Sequence, residues 1–206
     1  MVTPVPRANR ALISLGLFAL VALIALAFAP GAHAAGCSYK LGQPFLPWKD
    51  GAQYGLAPGG SLESTTGWTL TGGAKLVSGN EPFRVNGATD SHSLSLPTGS
   101  SATSPFMCVS TDYPVARLFV KNGGLALSVL SVEVMVKGPL GTVISLPLGP
   151  QTLVGDWKPS SKVLLLTGQT VSLLNGTASI AFRFRPLDIL GKWQIDDLYV
   201  DPYARR

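Results

Sequence analysis

Residues 126–137 read ALSVLSVEVMVK. Val132, Val134 and Val136 take every second position, with Glu133, Met135 and Lys137 between them. Successive side chains of a strand point to opposite faces, so this spacing predicts a strand with one apolar and one polar face. Residues 177–185, TASIAFRFR, repeat the pattern, setting Ile180, Phe182 and Phe184 against Arg183 and Arg185. In residues 115–121, VARLFVK, Ala116, Leu118 and Val120 oppose Arg117, Phe119 and Lys121. Strands half-buried in this manner belong to antiparallel sheets.

Outward from these three, further short apolar runs lie at 66–70, 74–78, 92–96, 142–146, 162–166 and 192–200. Gly, Pro, Asn and Ser clusters separate them, as turns require. No helical period of useful length follows residue 34, apart from a short helical turn expected at 169–174, QTVSLL. The reading is all-β: a two-sheet antiparallel β-sandwich or jelly roll behind an N-terminal signal peptide.

Composition agrees. Of 206 residues only 13% are charged, with 23 Gly and 16 Pro. A charge-rich disordered tail and a coiled coil are both excluded. Arg7 and Arg10 precede an uncharged run over 11–29, then Pro30-Gly31 and Ala32-His33-Ala34. That layout predicts a secretory signal peptide, residues 1–34, cleaved after Ala34. An uncleaved anchor is the alternative reading, because nineteen apolar residues can just span a bilayer. Cleavage leaves 172 residues with a net charge of +3, and Arg205 and Arg206 supply two of those charges. No Lys/Arg run interleaved with aromatics remains, so no nucleic-acid partner is expected, nor a membrane partner once the leader is gone.

Cys37 and Cys108 are the only cysteines, and no CxxC occurs. An even pair in an exported protein reads as a disulfide. The alternative is lipidation at Cys37, since Ala34-Ala35-Gly36-Cys37 loosely matches a lipoprotein box. The expected organisation is an ordered N-terminal arm at 35–56, a sandwich domain at 57–202 and a frayed tail at 203–206.

Two stretches carry a resemblance. GGSLESTTGWTL, residues 59–70, resembles the opening of jelly-roll carbohydrate-binding modules of the galactose-binding-domain-like type. WQIDDLYV, residues 193–200, resembles their last strand, and SHSLSL (91–96) with SATS (101–104) resembles strands between. Secreted proteins of high-GC Gram-positive bacteria are similar in the same way. The resemblance covers roughly residues 57–202 and implies the sandwich fold. It implies sugar binding more weakly, because one fold serves many functions.

The resemblance also implies a structural calcium, with Glu63 as the opening carboxylate and Asp196 and Asp197 on the last strand. Oxygen ligands of this kind suit calcium. A regular strand would point Asp196 and Asp197 to opposite faces, with Asp196 inward beside Leu198 and Val200. The alternative is a metal-free network in which Asp196 accepts hydrogen bonds from the loop near Glu63, so no cofactor is required.

For a ligand, Trp48 and Trp157 sit in polar loops, whereas the resemblance implies that Trp68 and Trp193 are core residues. Arg117, Glu133, Arg183 and Arg185 point away from the apolar faces, where they can hydrogen-bond a polar ligand bidentately. Catalysis is not expected. His92 is the one histidine after the leader, and there is no GxSxG elbow. The expected function is a secreted, non-catalytic binding domain for an extracellular glycan. The alternative is a cell-envelope or protein-interaction domain with an envelope protein as partner.

Overall fold

The computed structural model describes residues 37–110, 114–152, 155–165 and 177–203. The expected leader, the helical turn at 169–174 and residues 204–206 of the tail lie outside them. The described strands are β1 (Leu41–Gly42), β2 (Tyr54–Leu56), β3 (Thr69–Thr71), β4 (Lys75–Ser78), β5 (His92–Leu96), β6 (Ser101–Thr103) and β7 (Met107–Ser110). They continue with β8 (Val115–Asn122), β9 (Val129–Lys137), β10 (Val143–Thr152), β11 (Gly155–Pro159), β12 (Val163–Leu164), β13 (Thr177–Pro186) and β14 (Trp193–Asp201).

β13 and β14 organise the two antiparallel sheets. β13 pairs with β9 along one edge and with β7, then β6, along the other; β10 and β3 complete a six-stranded sheet. β14 pairs with β8 along one edge and with β5, then β2, along the other, inside an eight-stranded sheet. The apolar faces predicted by alternation meet in one core. Val132, Val134, Val136, Ile180, Phe182 and Phe184 of one sheet pack with Leu94, Leu96, Leu118, Val120 and Ile195 of the other. The fold is the expected two-sheet β-sandwich.

β14 changes neighbours at a β-bulge. Asp196 faces Phe119 while Tyr199 faces Arg117, so the strand carries one extra residue between them. Asp197 takes it up with φ 46°, a left-handed conformation unusual for a residue with a side chain. Past the bulge, Ala57 N–H donates to the Leu198 carbonyl and Leu198 N–H donates to Gly60. A Cβ on Gly60 would lie 2.4 Å from the Leu198 oxygen, so only glycine fits there.

The outer face of the eight-stranded sheet is sealed by the arm. Phe45 brings its ring to Phe119, Tyr199 and Tyr54, and Trp48 brings its ring to Phe119, in a second apolar cluster that also takes in Trp157. That second cover is why β8 is buried on both faces despite its alternating sequence. A disulfide joins Cys37, at the start of the arm, to Cys108 on β7 of the six-stranded sheet. Tyr203, the first residue of the expected tail, donates its hydroxyl to the Cys37 carbonyl.

Candidate functional site

The described part of the arm reaches the outer face of the six-stranded sheet only through the Cys37–Cys108 disulfide, beside Ser179 of β13. Register places Glu133 of β9 beside Arg183 of β13, and Arg183 beside Thr103 of β6. Pro147 of β10 lies on the other side of Glu133. Period-2 alternation then brings Ser131 and Arg185 into the next row, and Met135 and Ala181 into the row on the other side. Three of the predicted ligand residues, Glu133, Arg183 and Arg185, are thus assembled into one cluster.

Glu133 is the hub. One carboxylate oxygen accepts from Arg185, and the other accepts from Arg183 at 3.4 Å and from the Ser145 hydroxyl at 2.8 Å. Burial pushes this carboxyl up, but Ser145 and the two guanidinium groups outweigh it and hold it below the usual carboxylate range. Glu133 is itself covered, while the arginine side chains keep 29% and 46% of their surface. Phe106 adds an aromatic ring. It precedes the inward Met107, remains 41% exposed and lies 5.9 Å from the Lys137 ammonium. Phe106 was not among the residues expected from the sequence.

The other three predicted ligand residues sit under or in the arm. Arg117 does leave the core face, as alternation requires, but it is buried there. Its guanidinium pairs with Asp50 at 2.7 Å, donates twice to the Ser160 carbonyl and lies over the Phe45 ring at 4.6 Å. Burial raises the Asp50 carboxyl, but Lys162, Tyr54 and Arg117 overcome it and hold it at about 2. Trp157 is buried beside the same cluster, and Trp48 packs edge-on against Phe83 and Phe119. Arg117 and Trp157 are buried in closing the sheet, while Trp48 is half-buried against the same cluster.

Both oxygens of Glu63 are occupied by Ser91 and His92: the two backbone N–H groups donate to one, and the Ser91 hydroxyl and His92 Nδ1 meet the other. Burial alone would raise this carboxyl, but those bonds hold it at about 2. Asp196 and Asp197 instead share a buried pocket with Glu81 and Asp90. The bulge at Asp197 explains why neither aspartate reaches solvent, where a regular strand would have sent them apart. Asp196 accepts from the backbone N–H groups of Glu81 at 3.1 Å and Asp197 at 2.9 Å. Glu81 accepts from Phe83 and Val85, which fixes the loop after β4.

Both oxygens of Asp197 and one of Asp90 are buried and poorly served, with the Asn86 backbone N–H beside Asp197 as a weak donor. Oxygen donors are the right chemistry for a hard cation. Among the described residues no group of three or more Asp, Glu, His or Cys side chains is placed to hold an ion. Burial, with the neighbouring Glu81 and Asp90 charges, pushes both Asp196 and Asp197 up to about 8. The hydrogen bonds to Asp196 come from the loop that carries Glu81 and from Asp197, not from the loop near Glu63.

Glu63, Ser91 and His92 together resemble parts of a catalytic triad, but the wiring is wrong. Serine and glutamate both meet the same ring nitrogen, Nδ1, so no proton path runs through the imidazole from one to the other.

No family model matches the sequence, and no curated protein matches it. Solved structures match the fold. A xylan-binding domain of carbohydrate-binding-module family 22 from Paenibacillus barcinonensis is 15% identical, with TM-score 0.44 over 66% of this chain and 86% of that one. A Clostridium thermocellum endo-1,4-beta-D-xylanase carrying a family 22 module, complexed with xylohexaose, is 12% identical, with TM-score 0.48 over 68% of this chain and 27% of that one. A family 61 module in complex with beta-1,4-galactotriose is 14% identical, with TM-score 0.43 over 71% and 97%. These likenesses concern the backbone course and assign no ligand to this chain.

Proposed function

We propose that the sandwich is an extracellular, non-catalytic carbohydrate-binding domain whose ligand lies on the outer face of the six-stranded sheet. One observation carries this reading. Of the two outer faces, one is closed by the arm, and the other presents exposed guanidinium donors near an exposed aromatic ring. Sugars need both: hydrogen-bond partners for their oxygens and a flat apolar surface for their C–H faces. Glu133 is the only carboxylate on the described strands of this sheet, and it is fully engaged. Glycoside hydrolysis needs two carboxylates flanking the bond, which supports a binding role. The Cys37–Cys108 disulfide fits an oxidising, extracellular setting. Among the described residues no helix is long and apolar enough to cross a membrane.

The test is affinity electrophoresis through gels containing a panel of polysaccharides. At least one polymer is expected to retard the protein, and Arg185→Ala is expected to relieve that retardation about tenfold. Free migration through every gel would contradict the reading. A second reading, a cell-envelope protein-interaction domain, is favoured by two hydrogen-bonded loops at one end of the sandwich. They hold Leu127 and Ile189 83% and 82% exposed.

A further inference from the structure

We infer that the glycan taken by this face is anionic, a polymer carrying carboxylate or phosphate groups, with the proposed carbohydrate-binding reading as its premise. Donors and acceptors on this face are unequal. Glu133 already accepts from Arg185 with one oxygen and from both Arg183 and Ser145 with the other. The arginines do have donors to spare. A guanidinium carries five N–H groups. Arg183 places Nη1 on Glu133 and Nη2 on the Met135 sulfur at 3.1 Å, a weak acceptor. Arg185 reaches Glu133 through Nη2.

The cluster therefore has donors in excess of its acceptors. A neutral sugar hydroxyl brings a donor of its own along with its acceptor lone pairs, so it answers that excess less fully. An anionic group brings acceptors only and matches the planar guanidinium fork bidentately. Charge points the same way. Arg183, Arg185 and Lys137 face outward against the single Glu133, leaving the face at +2. Arg183 and Arg185 stand two residues apart on one strand face, about 7 Å, so one charged unit can meet both or two successive units can meet one each. The Ser131 and Thr103 hydroxyls flank the arginines and serve the uncharged hydroxyls of the same polymer. These hydroxyls suit a glycan better than a free anion.

The experiment compares retardation of the full chain in gels of polygalacturonate, its fully methyl-esterified form, a polyglycerol-phosphate polymer, xylan and galactan. Retardation by polygalacturonate or by polyglycerol-phosphate is expected to exceed that by every neutral polymer at least tenfold. Which of the two retards identifies the anion. It is expected to weaken several-fold between 50 and 500 mM salt and about tenfold in Arg185→Gln, whose side chain is half exposed and whose loss leaves the core intact. Equal retardation by neutral and anionic gels would overturn the anionic inference and leave the carbohydrate-binding reading standing. No retardation in any gel would overturn both.

Discussion

At pH 8 the Asp197→Asn variant is expected to melt about 10 °C above the parent chain. Asp197 is fully buried, has only the Asn86 backbone N–H near its carboxylate as a donor against this cost, and lies beside Asp196, Asp90 and Glu81. An acid whose folded value of about 8 stands roughly four units above its ordinary value costs on the order of 5 kcal/mol at alkaline pH. The sign follows from proton counting. Between pH 4 and 8 the folded chain holds protons that the unfolded chain has released, so stability is greatest at the acid end and falls as pH rises through that window. The two aspartates titrate as a coupled pair, and relaxation absorbs part of the cost, leaving ~3 kcal/mol for asparagine to recover. In a domain of this size that corresponds to ~10 °C. The parent is also expected to show the same melting temperature in calcium and in chelator. A variant that melts lower than the parent, together with a parent stabilised by calcium, would show that a cation rather than protons neutralises the pocket.

Removing the disulfide is expected to have an effect of similar size and opposite direction. Cys37 and Cys108 close a loop of 71 residues, for which chain entropy gives roughly 4 kcal/mol. The bond also crosses between sheets. The arm supplies β1 and β2 to the eight-stranded sheet, whereas Cys108 lies on β7 of the six-stranded one. Tyr39 donates to the Cys108 carbonyl at 2.7 Å and Tyr203 donates to the Cys37 carbonyl, so both chain ends gather there. A Cys37→Ser, Cys108→Ser chain is expected to melt 10 °C or more below the parent. Its Trp48 emission is expected to shift to the red as the arm loosens from Phe119. Equal melting temperatures would show that packing of Phe45 and Tyr54 holds the arm unaided.

Much of this architecture was legible in the sequence. The run HSLSL is β5 as read, and the alternation in β9 and β13 correctly assigned Val132, Val134, Val136, Ile180, Phe182 and Phe184 to the core. Strands with weaker patterns escaped. β11, GDWKP, consists of turn-forming residues and becomes a strand only by pairing with β8. β7 is only four residues long, so Phe106 beside it could not be placed on any face. Alternation gave the correct side for Arg117, but it is blind to what covers that side. The arm over Phe119 turned an expected surface residue into a buried ion pair. The acidic pocket was hidden for two reasons. A left-handed Asp197 has no sequence signature, and Glu81 and Asp90 come from a loop with no periodicity, over a hundred residues earlier. The Arg183–Glu133–Arg185 cluster was within reach because cross-strand register follows once the two outward faces are known.

The central claim is that the outer face of the six-stranded sheet binds sugar. The most direct measurement is a nitrogen-15 NMR titration of the full chain with xylohexaose and with oligogalacturonate, following arginine Nε–H and backbone signals. Arg183 and Arg185 Nε–H signals and the Phe106, Glu133 and Thr103 amides are expected to shift with the acidic oligosaccharide, while Arg117, buried under the arm, stays still. Shifts confined to other residues, or none with either oligosaccharide, would contradict the account.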